Sequence, residues 1–382
     1  MDVRPIRTFL EPHHLSLAEQ ASALAKDIAA RPGPADDQGA RQEARALLGV
    51  LGAGGWLQPI LHLDLRGCCL LREALGAASP LADAVFALQG LGTTPILLAG
   101  SEAQKDRWLG PIVRGEAMTA FAMTEQGAGS DVSCIATTAR RDGSDYVLDG
   151  GKTLISNAGI ADLYIVFAST DPAGRAKGIS CFLVPADTKG LRFARAQVMS
   201  APHPLGELAL EGCRVPAEAL LGGEGRGYGL GLAALDRLRP TVAAAACGMA
   251  ARALDEALAH VAQRRQFGAP LATFQLVQQK LARTATDLTA ARLLTYRAAY
   301  EKDAGQERIT LEAAMAKSFA TEMAQRAVDD AVQLVGGHGV LAEHPVDRLY
   351  RAVRALRIYE GTTEIQQLII AGELLKPRPM SP

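Results

Sequence analysis

Tyr146-Val147-Leu148-Asp149-Gly150-Gly151-Lys152-Thr153-Leu154-Ile155-Ser156 interrupts a chain that otherwise reads as helix. Apolar residues flank Asp149-Gly150-Gly151, which predicts two strands joined by a tight turn. Nearby, Leu163 to Ala168 and Ile179 to Val184 are short β-rich runs, and Leu205 to Leu210 alternates apolar and polar residues. Residues 119–222 therefore read as a small β-domain with two apolar faces. On the N-terminal side the period is helical. Leu15 to Ala30, stopped by Arg31-Pro32-Gly33-Pro34, then Gln42 to Gly52, Leu81 to Leu98 and Ala103 to Val113 predict an all-helical domain over 1–118. Over 223–382, Leu230 to Arg265, Pro270 to Ala304, Thr310 to Leu334 and His344 to Ile358 are four longer blocks. They carry more Ala and Leu than a surface helix needs, which suits a helix bundle that also packs on other subunits. The expected fold class is α+β, mainly α.

Composition narrows the function. The 382 residues are 48% hydrophobic, enough for large cores and against global disorder. With 40 basic and 41 acidic residues, the net charge of -1 points to neither nucleic acid nor an anionic membrane as partner. The six cysteines, at 68, 69, 134, 181, 213 and 247, match neither a zinc site nor a disulfide framework, and no other metal-ligand spacing occurs. No long apolar run opens the chain, and Thr241 to Ala251 is too short to span a bilayer. The expectation is a soluble, cytoplasmic protein.

Four segments carry the chemistry. Ile358-Tyr359-Glu360-Gly361-Thr362-Thr363-Glu364-Ile365-Gln366 puts a carboxylate at a Gly turn, where one helix ends and another can begin. In an apolar setting desolvation raises such a carboxyl's pKa toward the range of a working base. Taken alone, a Glu before Gly is most often a solvated turn residue. In Ala122-Met123-Thr124-Glu125-Gln126-Gly127-Ala128-Gly129-Ser130-Asp131, two glycines let backbone amides approach a planar or anionic ligand, and Thr124 and Ser130 add hydroxyls. The strand-then-helix context of a nicotinamide site is missing. Arg264-Arg265-Gln266-Phe267-Gly268 is a basic helix end, solvated or forked onto a pyrophosphate. Phe274 and Gln275 follow it, and Gln333-Leu334-Val335-Gly336-Gly337-His338-Gly339 offers similar groups from another helix end. Asp236-Arg237-Leu238-Arg239-Pro240 reads as the start of the long helix, where Asp236 suits the N-terminus.

In this order and at these spacings, the four segments resemble the acyl-CoA dehydrogenase family, with motif support from about residue 80 to 372. The resemblance implies a helical N-terminal domain, a middle β-barrel-like domain and a C-terminal four-helix bundle. It implies FAD-dependent α,β-dehydrogenation of an acyl-CoA thioester to the trans-2-enoyl-CoA, within fatty acid metabolism. Glu360 would be the α-proton base, the β-hydrogen would leave as hydride to flavin N5, and electrons would pass to electron-transfer flavoprotein. Phe121, Met123, Thr124 and Ser130 would line FAD from the Gly-rich turn, with Leu154, Ile155 and Ser156 beside the flavin and the Ser156 hydroxyl near N5. Arg264, Gln266, Phe267, Phe274 and Gln275, together with Gln333, Leu334, Gly336 and Gly337, would reach FAD across a subunit interface. That requires a homo-oligomer, a tetramer or a dimer. Thr362, Thr363 and Glu364 would meet the FAD phosphates or ribityl chain. Ser130, Asp236, Arg239, Tyr359 and Gly361 would face the acyl-CoA.

Some positions depart from the family pattern. Leu154 stands where a Trp commonly shields the flavin, which keeps a flavin oxidase or monooxygenase open as an alternative. A non-catalytic flavoprotein subunit is a third reading. Gln126 replaces the usual Pro, and Gly372 stands where Arg is frequent. Phe86, Ala87 and Leu91 carry no charge, so the expected acyl group is apolar rather than dicarboxylic.

Overall fold

A computed structural model describes residues 1–376. In chain order its helices are α1 (Pro12–Ala29), α2 (Asp37–Ala53), α3 (Gln58–Leu61), α4 (Leu65–Ala78), α5 (Pro80–Ala99) and α6 (Glu102–Val113). Strands β1 (Thr119–Ala122), β2 (Thr138–Asp142), β3 (Asp145–Ser156), β4 (Leu163–Ser169), β5 (Ile179–Pro185), β6 (Leu191–Ala196) and β7 (Leu205–Pro216) follow. Then come α7 (Gly227–Gln263), the short strands β8 (Arg265–Gln266) and β9 (Ala269–Pro270), α8 (Gln275–Asp303), α9 (Thr310–Val335), α10 (Pro345–Leu356) and α11 (Thr363–Leu374). The chain forms two compact units.

One unit, Gly33–Asp64 with Ala84–Leu235, holds a seven-stranded sheet in the order β1-β4-β2-β3-β7-β6, with β5 on β4. All seven residues of β4 are buried. Side chains alternate across a strand, so Leu163, Ile165 and Phe167 enter one apolar cluster while Tyr164, Val166 and Ala168 enter another. The sheet is thus covered on both faces along β4, and it is curled into a half-barrel. Helix α5 is long and apolar enough to cross a membrane by composition, but 78% of its apolar window is buried within the protein.

The expected hairpin at 146–156 is instead one continuous strand, β3, paired with β7 throughout. The register slips between Leu148 and Gly150 and again between Lys152 and Ile155. Gly150 supplies a bulge rather than a turn: its φ is +149°, and a Cβ there would sit 2.6 Å from Thr137 Oγ1. Sequence reading also missed β1, β2 and β6, which are short, and β6 is almost wholly solvent-facing.

The other unit joins Met1–Pro32, Leu65–Asp83 and the chain from Asp236 onward. Helix α9 packs on α8, α10 and α11, and α4 packs on α1 and α8. Helix α4 was not expected; Gly67, Gly76 and two cysteines lower its intrinsic propensity, and burial of almost every residue compensates. Its small residues bring it against α7. A Cβ on Gly76 would lie 2.9 Å from Ala245 O, and one on Gly248 only 2.0 Å from Glu73 O. The chain from Val242 to Cys247 is completely buried, and all but one of its side chains are Ala or Cys.

Gly248→Ala forces α4 and α7 apart. We expect a loss of about 1–3 kcal/mol, the usual cost of overpacking, read as a lower urea midpoint at unchanged slope.

Candidate active site

Glu360 lies in the turn between α10 and α11. Its φ is +54° and that of Gly361 is +91°, so two consecutive residues are left-handed. For a non-glycine residue this is strained, and it persists only where surrounding bonds hold it. They do so from three helices. Lys317 Nζ on α9 donates to Gly361 O at 2.6 Å. Gln366 Nε2 on α11 donates to Gly361 O at 3.0 Å and to Glu360 O at 3.3 Å. Arg239 Nε on α7 donates to Glu360 O at 3.3 Å. Thr362 caps α11 by accepting from the Ile365 amide at 3.3 Å, and the Thr363 hydroxyl donates to Glu322 at 2.7 Å. Arg357 also bonds Glu322, at 2.7 Å.

The Glu360 carboxylate is set apart from this network. Its Oε2 is shielded from solvent and has no hydrogen-bond partner among the described residues. Burial pushes the carboxyl above its ordinary range, while Arg72, Lys317 and Arg239 pull against that rise. Each cation is itself constrained. Arg72 is buried against Asp83, at 2.7 and 2.9 Å, and donates to Thr241 Oγ1 at 2.9 Å. Arg239 pairs with Asp236, which also accepts from Thr310. Lys317 is fully buried, and burial draws it down to about 8 against the pull of Glu360. Tyr359 is 39% exposed, while its hydroxyl, beside Arg72, is raised by desolvation.

Asp236 was expected at the start of a helix. It lies well inside α7, which begins at Gly227 and continues through Pro240. An acidic residue followed by Pro imitates a helix start, but here the Asp236 side chain serves Arg239 and Thr310. Lys317 and Arg72 were missed altogether, and Gln366 was quoted in the Glu360 segment without a role. A lysine within the Ala-rich Ala313-Ala314-Met315-Ala316-Lys317 run was the one available signal.

In the sheet unit, the Gly-rich turn follows β1. Beneath it Glu125 pairs with Lys152 at 2.7 Å and accepts from the Ala136 and Thr137 amides at 2.6 and 3.1 Å. Lys152 Nζ also donates to Met123 O at 3.2 Å. Burial lowers Lys152 to about 8, and Lys152 with the two amides holds Glu125 low despite its own burial. The pair thus clamps the turn from below. Met123 and Ile155 point into the core, so only their backbone is available to a ligand. Phe121 packs its ring 4.9 Å from Phe167, Thr124 is half-buried, and Ser130 is exposed. Leu154 has φ +56° and is 57% exposed, with its amide held by Gln197 at 2.8 Å. The Ser156 hydroxyl lies 2.7 Å from His203 Nε2.

Arg264, Gln266 and Gln275 are exposed around the β8–β9 hairpin, as are Gln333, Gly336 and Gly337 at the end of α9, while Leu334 is buried. Phe267 is 95% exposed and meets Phe274 edge-on at 6.3 Å. Among the described residues, no hydrogen bond or ring contact joins these groups to the Glu360 turn. Glu364 is exposed, held low mainly by a backbone amide and Thr362.

Family models for acyl-CoA dehydrogenase match the chain in three consecutive parts: the N-terminal domain over 11–116, the middle domain over 120–213 and the C-terminal domain over 225–375. A 3-(aryl)acrylate reductase of Clostridium sporogenes is 43% identical over 82% of this chain and 84% of its own. The mitochondrial short-chain specific acyl-CoA dehydrogenase of Rattus norvegicus is 44% identical over 74% of this chain and 69% of its own. Butyryl-CoA dehydrogenase from Megasphaera elsdenii superposes with a TM-score of 0.86 at 33% identity, covering 94% of this chain and 98% of that one. The chain belongs to the acyl-CoA dehydrogenase family. It is an oxidoreductase acting on a CH–CH bond, in a family whose members bind FAD. Its own groups fit that cofactor: an exposed arginine and Gly-Gly amides suit a diphosphate, and the open Gly127 and Gly129 with the Ser156 hydroxyl suit a flat ring with polar edges.

Lys152→Met leaves the Glu125 carboxylate buried without its cation. We expect a loss of about 3–5 kcal/mol by chemical denaturation, together with a lower FAD content of the folded protein.

Proposed function

We propose that this chain dehydrogenates an acyl-CoA thioester to the trans-2-enoyl-CoA, with Glu360 as the base. The observation that carries the reading is the shielded, unpartnered Oε2 on a carboxyl whose pKa burial has raised. Buried carboxylates with a purely structural role are satisfied by donors; this one keeps a lone pair for a proton. The Cα–H bond breaks, its proton passes to Oε2, and charge develops on the thioester oxygen. The Glu360 amide donates to no group among the described residues and can serve that oxygen, as in an oxyanion hole. Bound FAD supplies the acceptor for the hydride that leaves Cβ as the double bond forms. Arg72, Lys317 and Arg239 favour the ionised form of the base against the effect of its burial.

An apolar acyl group belongs to this reading, supported by the uncharged, buried Phe86, Ala87 and Leu91 of α5; glutaryl-CoA is then a poor substrate. Electron-transfer flavoprotein is the proposed acceptor, on the strength of family membership. A homo-oligomer is proposed because Phe267, Leu276, Leu368 and Leu375 expose large apolar side chains. The exposed Leu154 favours a second reading, an oxidase or monooxygenase. Hydrogen peroxide formed in step with turnover in air separates it from the first.

Anaerobic mixing of the holoenzyme with saturated acyl-CoAs bleaches the visible flavin band. Glu360→Gln slows that bleaching by about 10²–10⁴-fold, the usual share of a general base, with FAD content unchanged. Equal rates in the two proteins would place the base elsewhere.

The pH profile follows from the same geometry. Ionised Glu360 is the active form, so kcat/KM falls as pH drops through a pKa above the ordinary 4.5. Lys317→Met removes one opposing cation and raises that pKa further. The acid limb then moves to higher pH by about one unit, a typical effect of one nearby charge.

A further inference from the structure

Ser156 and His203 are 47 residues apart in sequence, yet Oγ and Nε2 are 2.7 Å apart. The sheet holds them there. Ser156 ends β3 opposite Leu205 of β7, and the Asn157 amide donates to Pro204 O at 2.8 Å. Arg41 of α2 donates to Leu205 O at 2.8 Å and to Ala158 O, tying both strands just beyond the pair. Its own partner is Asp37 at 2.7 Å. Burial and the Arg41 charge pull His203 down to about 4, with Asp37 opposing, so the imidazole is neutral at ordinary pH.

A neutral imidazole has one donor and one acceptor nitrogen. When Nε2–H donates to Ser156 Oγ, the hydroxyl proton is free for a third group that accepts. When Nε2 accepts the hydroxyl proton, the Oγ lone pairs are free for a third group that donates. The two arrangements differ by the ring tautomer, a proton passing between Nε2 and Nδ1 through solvent with no net gain. Flavin N5 is such a third group, an acceptor when oxidised and an N–H donor when reduced.

We propose that His203 is a positioning residue that orients the Ser156 hydroxyl toward bound FAD and so sets the balance between its oxidised and reduced forms. The inference rests on the proposed flavin-dependent dehydrogenation and on the placement of Ser156 near flavin N5 that the family resemblance implies. Leu154, two residues before Ser156, provides no polar side-chain group of its own.

The test uses FAD-loaded protein equilibrated with a redox dye, for the parent, Ser156→Ala, His203→Leu, His203→Gln and the Ser156→Ala/His203→Leu double variant. His203→Leu changes the ratio of oxidised to reduced bound FAD by about tenfold, ~30 mV for a two-electron couple. Ser156→Ala moves it in the same direction, and the double variant moves it no further. His203→Gln, whose amide can donate or accept, restores most of the parent ratio. Should His203→Leu not hold FAD, His203→Asn, with an amide too short to reach, takes its place. A parent-like ratio in His203→Leu beside a shifted Ser156→Ala overturns the role of His203 and leaves Ser156 at the flavin. An unshifted ratio and unchanged flavin band in Ser156→Ala overturn the placement itself, and the inference with it. A lower melting temperature with an unmoved ratio marks His203 as structural only and also overturns the proposal.

Discussion

Helices α4 and α7 touch backbone to backbone, and the charge environment of Glu360 depends on that approach. Gly76 and Gly248 permit it, since a methyl group at either would meet a carbonyl oxygen across the interface. Because the helices are so close, Arg72 on α4 reaches Thr241 on α7 while paired with Asp83. One residue on, Glu73 reaches Arg292 and Tyr296 of α8, at 2.7 and 2.9 Å. Two guanidinium groups are thereby held in the interior, where the paired carboxylate offsets the cost of burying each charge. Arg72 is also the strongest of the cations acting on Glu360.

Buried charge does two kinds of work in this protein. Where it is matched, as in Lys152 with Glu125 or Arg72 with Asp83, it holds backbone in place: a Gly-rich turn in one unit, a helix junction in the other. At Glu360 the carboxylate keeps an unsatisfied oxygen, and the three nearby cations are committed to other partners, Lys317 to Gly361 O, Arg239 to Asp236 and Arg72 to Asp83. Their field reaches the carboxylate while their hydrogen bonds go elsewhere. That separation leaves a carboxylate ionisable yet uncapped, which a direct ion pair would not allow.

Much of this was legible before the structure. Long Ala-rich and Leu-rich blocks bury several helical faces, and α7, α8, α9 and α10 lie where that pattern put them. The runs at 163–168 and 179–184, apolar apart from Ser180, are interior strands because a strand covered on both faces needs no polar alternation. Other features were hidden for definite reasons. Asp149-Gly150-Gly151 has turn chemistry, but pairing with β7 continues past it and converts the glycines into a bulge. Asp236 with Pro240 looks like a helix start because local sequence does not record the preceding helical turns. Helix α4 has modest propensity and exists through burial. Lys317 and His203 matter only through partners 44 and 47 residues away.

The sequence by itself determined the class of this protein: helical parts on either side of a β-domain, a carboxylate at a Gly turn, and ordered Gly-rich and Arg-containing segments that suit a flavin dinucleotide. Periodicity and residue type are local properties, and they were enough for that. Only the tertiary structure decided what state each group is in. Which carboxylate is paired and which is left open, which lysine is buried, and which hydroxyl has an imidazole beside it all depend on distances between elements far apart in the chain. Desolvation and charge–charge interaction are set by those distances, so the chemistry of Glu360 and Ser156 was fixed by packing and not by their neighbours in sequence.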